Sequence, residues 1–292
     1  MMFLPPPRVV CFGEVLWDIL PHGRYPGGAP FNVGYHLHQQ GAEVCVASAV
    51  GTDPLGDELL GRLTAWGIPT AGISRLDAFP TGTVTAELGP SGDARYTLHE
   101  NVAWDRIHLT EATLRAAGKA DAVIFGSLAQ RSTFNRNSLD ELLALLPDQA
   151  WRIFDVNLRA PFDDLALVGA LAGKATVLKL NAAEAARLAA GAEEEAGQEE
   201  GHARRLQQET RCRMVCITAG ARGAGLLADG EWLWEPGQPV AVADTVGAGD
   251  AFLATLTLRL LREPSHLRTA LAAASRRGEW VASQQGATPA YT

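Results

Sequence analysis

"DTVGAGDAF", residues 244–252, sets Gly247, Ala248 and Gly249 directly before a carboxylate, Asp250, and then runs into the apolar segment "FLATLTLRLL", residues 252–261. A helix that starts here leaves its first backbone amides unpaired, pointing outward with the positive end of the helix dipole. Small side chains keep those amides open, so the loop is suited to an anion. Asp250 in the first turn has two readings, an acid that caps its own helix or a catalytic carboxylate beside an anion hole. Local sequence leaves both open.

Neither familiar phosphate loop competes for the role. No Gly-Lys-Ser/Thr ending of a Walker loop occurs, and "GAGDAF" lacks the third glycine of a dinucleotide fingerprint. "GARGAG", residues 220–225, follows a strand-like run but leads into another one, "AGLLAD". What remains is an anion hole next to a carboxylate, the pairing that takes a proton from a hydroxyl while charge is stabilised on a transferring phosphoryl group.

Working outward, "RVVCFG" (8–13) reads as a buried strand, and strand-like and helix-like runs then alternate. "NVGYHLHQQG" is followed by "EVCVASAVG" and "PLGDELLGRLTAWG", with glycine at each helix exit for a left-handed cap. The rhythm resumes with "DAVIFG", "SLDELLALL", "WRIFDVN", "LALVGALAG", "ATVLKLN", "AAEAARLAA" and "RMVCIT". This alternation predicts an α/β fold, a doubly wound and mainly parallel sheet of five or more strands with helices on both faces. The whole of 1–292 is expected to be one domain.

Two stretches break the rhythm. "GEVLWDILPHGRYPGG" (13–28) and "TGTVTAELGPSGDARYTLHE" (81–100) read as short strands and turns, the second as a hairpin around "GPSGD". Strands from about residues 14–30 and 80–103 are expected to pair into a small lid. The acidic run "AGAEEEAGQEE" (190–200) reads as a solvated helix end or loop without a chemical role.

Composition narrows the partners. The formal net charge is −8 with no stripe of Lys or Arg, which argues against nucleic acid. No apolar run reaches the roughly 18 residues of a membrane span. The start "MMFLPPPRVV" has no cationic leader, so a cytoplasmic protein is expected. The four cysteines lie in apolar strand-like runs, and no Cys/His set has zinc spacing. His36 and His38, two apart on a helix, diverge and are packing or surface residues rather than a metal pair.

Four motifs together carry a family resemblance over nearly the whole chain. "DTVGAGDAF" resembles the C-terminal signature of the ribokinase-like, or PfkB, carbohydrate kinases, and "GGAPFNVGYHLHQQGAEVCVASAVGTDPLGDELL" (27–60) their N-terminal one. "LKLNAAEAARL" (178–188) is similar to their Asn-x-x-Glu segment, and "CITAGARGAGLL" (216–227) to their nucleotide-side strand and turn. "GEVLWDILP", "GGAPFNVGYHL" and "DVNLRAPF" look most like fructokinases, with kinases of 2-keto-3-deoxygluconate or other keto sugars as the alternative.

The resemblance implies an ATP-dependent sugar kinase, with D-fructose going to fructose 6-phosphate as the first expectation. It assigns Asp250 as general base and Gly247, Ala248 and Gly249 as the hole for the γ-phosphate. Asp18, Gly27, Gly28, Asn32 and Asn101 would meet the sugar, and Arg159 would face phosphate. Asn181 and Glu184 would hold Mg²⁺ through waters, although an Asn followed three residues later by Glu is also an ordinary helix cap. Thr218, Gly220 and Gly223 would meet the nucleotide. Asp244 and Thr245 match a monovalent-cation site, K⁺ in such enzymes, but Ala290 in "GATPA" stands where ribokinase-type members often have serine. Exposed lid edges imply a homodimer. A non-catalytic sugar or nucleotide sensor is the rival from another class. A dinucleotide-dependent oxidoreductase is a further one, for which "VVCFGEVLWD" lacks the glycine fingerprint.

Overall fold

Runs that are apolar at every position become strands buried on both faces, and the stretches between them fold as helices that cover those faces. The structure, a computed structural model, describes residues 5–20, 23–88 and 94–291, with 86–88 and 94–96 by backbone alone. The chain begins with β1 (Arg8–Phe12), β2 (Leu16–Leu20), β3 (Gly23–Gly27), α1 (Ala29–Gln39), β4 (Glu43–Gly51) and α2 (Pro54–Ala65). β5 (Ile73–Leu76), β6 (Thr83–Leu88), β7 (Ala94–Leu98), α3 (Glu111–Ala117), β8 (Ala122–Gly126) and α4 (Thr133–Ala144) follow. Then come β9 (Trp151–Asp155), α5 (Leu165–Ala172), β10 (Val177–Asn181), α6 (Ala182–Ala190), α7 (Glu199–Thr210) and β11 (Met214–Thr218). β12 (Gly223–Ala228), β13 (Glu231–Pro236), α8 (Ala248–Arg262) and α9 (Leu267–Ala282) complete the described elements.

Nine of the described strands form the main sheet in the order β13-β12-β11-β10-β9-β8-β1-β4-β5. It is parallel from β5 to β11, and β12 and β13 extend it antiparallel at one edge. Alternate residues of each strand enter different cores: Val9 and Cys11 pack with residues of α1, α8 and α9, while Val10 and Phe12 pack with residues of α4 to α7. The doubly wound expectation holds. A tight two-residue link was not read between β12 and β13, because "AGLLADGEWLWEP" resembles any other pair of apolar runs until its antiparallel register is seen.

The two irregular stretches form a separate four-stranded sheet in the order β3-β2-β6-β7. β2 pairs antiparallel with β3 and parallel with β6, and β6 pairs antiparallel with β7; the hairpin turn expected at 89–93 lies outside the described residues. β3 and β7 are its edges. Trp17 Nε1 donates to the Leu55 carbonyl at 2.9 Å, tying this sheet to α2. Asp53 joins the same two parts: it caps α2 through Gly56 N (2.8 Å) and accepts from Thr81 N and Oγ1, each at 2.7 Å, where the chain enters β6.

Some local expectations need correction. The left-handed exits expected at Gly41 and Gly67 are present, and Gly191 adds a third, whereas Gly173 has φ −63° and ends α5 in right-handed backbone. The acidic run is irregular over 191–198, yet Glu199 opens α7, is 6% exposed, accepts from Gly197 N and pairs with Arg222 at 2.8 Å. α7 escaped the sequence reading because it buries only Glu199, Ala203 and Leu206, too narrow a stripe to register against its charged remainder. α9 escaped because its buried face is mostly Ala, Gly and Ser.

His36 is fully buried as a packing residue, its ring nitrogens bonded to Tyr291 Oη (2.8 Å) and the Ala287 carbonyl (2.9 Å). Burial holds its pKa down at about 4, so it stays neutral and fastens the C-terminal segment to α1. The four cysteines are free thiols. Among the described residues, no helix is long and apolar enough to cross a membrane.

Candidate active site

α8 begins as the sequence predicts, with Gly247 at its N-cap and Ala248, Gly249 and Asp250 in its first turn. Gly247 has φ 79°, and a Cβ there would lie 2.6 Å from Ala287 Cα, so only glycine fits between the loop and the C-terminal segment. The amides of Gly249 and Asp250 find no acceptor among the described residues. They are therefore open for an anion. Gly247→Ala is expected to destabilise the protein by about 1–3 kcal/mol through backbone strain, read as a lowered midpoint in urea unfolding.

Asp250 does not cap its own helix. Its Oδ2 accepts from Asn32 Nδ2 of α1 at 2.9 Å, a contact made because α1 packs against α8. Burial raises its pKa to about 6, and the Asp155 charge adds to that. The Asn32 hydrogen bond, Lys179 and Arg159 act the other way. A carboxylate held this close to neutrality is a competent proton acceptor.

Asp18 is on β2, an inner strand of the small sheet. It lies over Gly27, where a Cβ would come within 2.2 Å of its Oδ2, and burial raises its pKa to about 6 against the opposing charge of Arg159. A Cβ on Gly28 would lie 2.3 Å from the Glu14 carbonyl. Gly27 and Gly28 thus allow β3 to turn into α1 in contact with the β1–β2 link. Arg159, exposed beyond the end of β9, acts electrostatically on Asp18, Glu14 and Asp250 alike. Asn101 sits exposed after β7 with φ 56° and makes no hydrogen bond among the described residues, which fits a loop residue.

Asn181 and Thr218 are register partners at the ends of β10 and β11. Asn181 caps α6: its Oδ1 accepts from Glu184 N (2.8 Å), and Glu184 Oε2 accepts from Asn181 N (2.9 Å). Glu184 Oε1 takes Leu158 N at 2.8 Å. The capping reading is therefore real. With both carboxylate oxygens engaged, and no cluster of three His, Cys, Asp or Glu placed for a metal among the described residues, Mg²⁺ fits here only through water and phosphate oxygens.

Thr218 Oγ1 bonds the Leu180 carbonyl (3.3 Å), Gly220 lies in an exposed turn, and Gly223 is required where β12 starts, since a Cβ would lie 2.1 Å from the Glu235 carbonyl. Asp244 accepts from Val246 N (3.0 Å) and Gly286 N (3.1 Å), so it clamps the loop to the C-terminal segment, and Thr245 is exposed beside it.

Three charged residues here were not singled out by sequence. Lys179 and Asp155 form a buried pair at 3.0 Å, and Lys179 Nζ lies 3.3 Å from where a Gly249 Cβ would be, next to the open amides. Burial alone would lower the Lys179 pKa, but Asp155, Glu184 and Asp250 hold it above its usual value. Glu14 is 3% exposed, with Oε1 accepting from Ala29 N at 3.1 Å. Each was visible as a charge inside an apolar run, "VLKLN", "RIFDV" and "FGEVLW".

The cluster gathers at the carboxyl ends of β1, β9, β10 and β11, where open α/β sheets bind ligands. A cavity of about 470 Å³ lies at the opposite ends of β1 and β4, lined by Val10, Val44 and Cys45 with Arg8 and Lys119 at its margin, far from this chemistry.

The profile of the pfkB family carbohydrate kinases matches residues 21–292. A fructokinase of Klebsiella pneumoniae is 26% identical over 261 residues, 85% of this chain and 83% of that protein. An aminoimidazole riboside kinase of Salmonella typhimurium is 27% identical over 268 residues, 87% and 81%. The crystal structure of an uncharacterized sugar kinase of Pyrococcus horikoshii in complex with ATP superposes with a TM-score of 0.82 at 23% identity, covering 96% of this chain and 94% of that one.

Proposed function

This chain belongs to the pfkB family of carbohydrate kinases, and from that premise we propose that it transfers the γ-phosphoryl group of ATP to a hydroxyl of a small sugar, D-fructose at its terminal hydroxyl. The observation that carries the reading is Asp250, raised to about 6 and oriented by Asn32 in the same helical turn that offers the open amides. In this reading Asp250 removes the proton of the attacking hydroxyl as the oxygen approaches phosphorus. The amides of Gly249 and Asp250 meet the charge on the transferred group, with Lys179 beneath them.

Asp18 and Asn32 orient the sugar, and Thr218, Gly220 and Gly223 border the nucleotide. Mg²⁺, when bound, would neutralise phosphate charge, reached through water from Asn181 and Glu184. The small sheet acts as the lid that shuts out water, which would otherwise compete as acceptor. A second copy joined along a lid edge completes the proposal; a monomeric mass in solution at micromolar concentration counts against that part. K⁺ would sit beside Asp244 and Thr245, where Asp244 already serves two amides.

ADP release from Mg-ATP, measured with fructose, 2-keto-3-deoxygluconate, ribose, fructose 6-phosphate and adenosine, tests the reading. Fructose is expected to stimulate turnover most. If no sugar stimulates release while one still binds, the chain is a sensor and the kinase reading fails.

A further inference from the structure

The sugar side of the site is lined by acids with little to balance them. Glu14, Asp18 and Asp250 all feel the charge of Arg159, which opposes the rise that burial causes in each. Among the described residues none of the three acids forms an ion pair, whereas Asp155 beside them is neutralised by Lys179 at 3.0 Å. Glu14 Oε1 is fixed by Ala29 N, while Glu14 Oε2 and Asn32 Oδ1 are buried acceptors without a donor among the described residues. Strand register puts Tyr25 and Val84 on the face of the small sheet that carries Asp18, with Leu98 beyond Val84, and none of these is a cation. The wall thus offers acceptors and negative charge, which suit a ligand made of hydroxyl donors.

We infer that this site selects an uncharged polyhydroxy sugar and rejects sugar acids and sugar phosphates, with Glu14 as a residue that sets this selectivity. The inference rests on the kinase reading for its substrate class but not for its test. A carboxylate or phosphate on the sugar would enter a space holding three acids and one arginine, and repulsion by one unpaired charge at close range in a part-buried site weakens binding on the order of tenfold or more. Glu14 is the acid whose removal is informative, since Asp250 is assigned to the proton transfer and Asp18 to direct sugar contact. Burial brings Glu14 to about 7, with the Asp250 charge adding to the rise, so assays belong at pH 8, where Glu14 is ionised.

The test compares D-fructose with 2-keto-3-deoxygluconate, by kcat/KM and by calorimetric binding without nucleotide, for wild type and Glu14→Gln. Glutamine keeps an acceptor for Ala29 N and removes the charge. The wild type is expected to favour fructose by more than about tenfold, and Glu14→Gln to narrow that gap by about tenfold, chiefly through a lower KM for the acid. A merely structural role for Glu14 would move both sugars together, which would overturn its part in selectivity. Equal or tighter wild-type binding of the sugar acid, or binding of neither, overturns the inference whatever the variant does, and decides it if Glu14→Gln fails to fold. Binding of fructose in preference to the acid, without turnover of any sugar, would sink the kinase reading and leave this inference standing.

Discussion

Asp250→Asn is expected to lower sugar-dependent ADP release by about 10²–10⁴-fold, the range that a positioned general base contributes, and at the same time to make the ligand-free protein more stable. The second effect follows from the raised pKa. The carboxylate sits at about 6 rather than near 4, so the folded state binds its proton more tightly than the unfolded chain does. Above pH 6 the charged form therefore costs the fold up to about 3 kcal/mol, at roughly 1.4 kcal/mol per unit. That cost fades as pH falls through 6 and is gone below about 4, where both states are protonated.

The melting temperature of Asp250→Asn should thus exceed that of wild type most at pH 7 and above, with the difference closing towards pH 4. In the wild type, kcat/KM should fall as pH is lowered through about 6, where an ordinary aspartate would keep working to near 4. An acid limb near 4, with no difference in melting, would remove the physical basis for Asp250 as base.

Lys179→Met is expected to cost about 3–5 kcal/mol, because it strands Asp155, which is 3% exposed, with one oxygen newly unpaired and the other already without a partner. Adding Asp155→Asn should recover part of that loss, since the stranded charge, rather than lost packing, dominates it. A double-mutant cycle by urea unfolding measures the coupling. The lysine also lowers the Asp250 pKa, so a folded Lys179→Met enzyme should show its acid limb at higher pH than wild type. A loss below about 1 kcal/mol without a shifted limb would mean that the pair is solvated and acts on neither fold nor base.

The two predictions concern residues that were legible to different degrees. Asp250 announces itself because a helix start whose amides stay open needs small residues, a requirement written in consecutive positions. Lys179 and Asp155 are 24 residues apart, and only the parallel pairing of β9 with β10 makes them register partners. Glu14 likewise reads as one acid in an apolar run until α1 is folded back against it through Ala29.

Periodicity and turn chemistry by themselves determined the alternating strands and helices, the doubly wound sheet, the irregular stretches that became the small sheet, and the loop before Asp250, because each depends on neighbours within one turn or one strand. Tertiary structure alone decided that Asn32 holds Asp250 across 218 positions, that Asp244 clamps the C-terminal segment, and that Glu184 serves two backbone amides. Its packing also set the raised pKa values of Asp250, Asp18 and Glu14, because burial and the distance to other charges are properties of the assembled cleft.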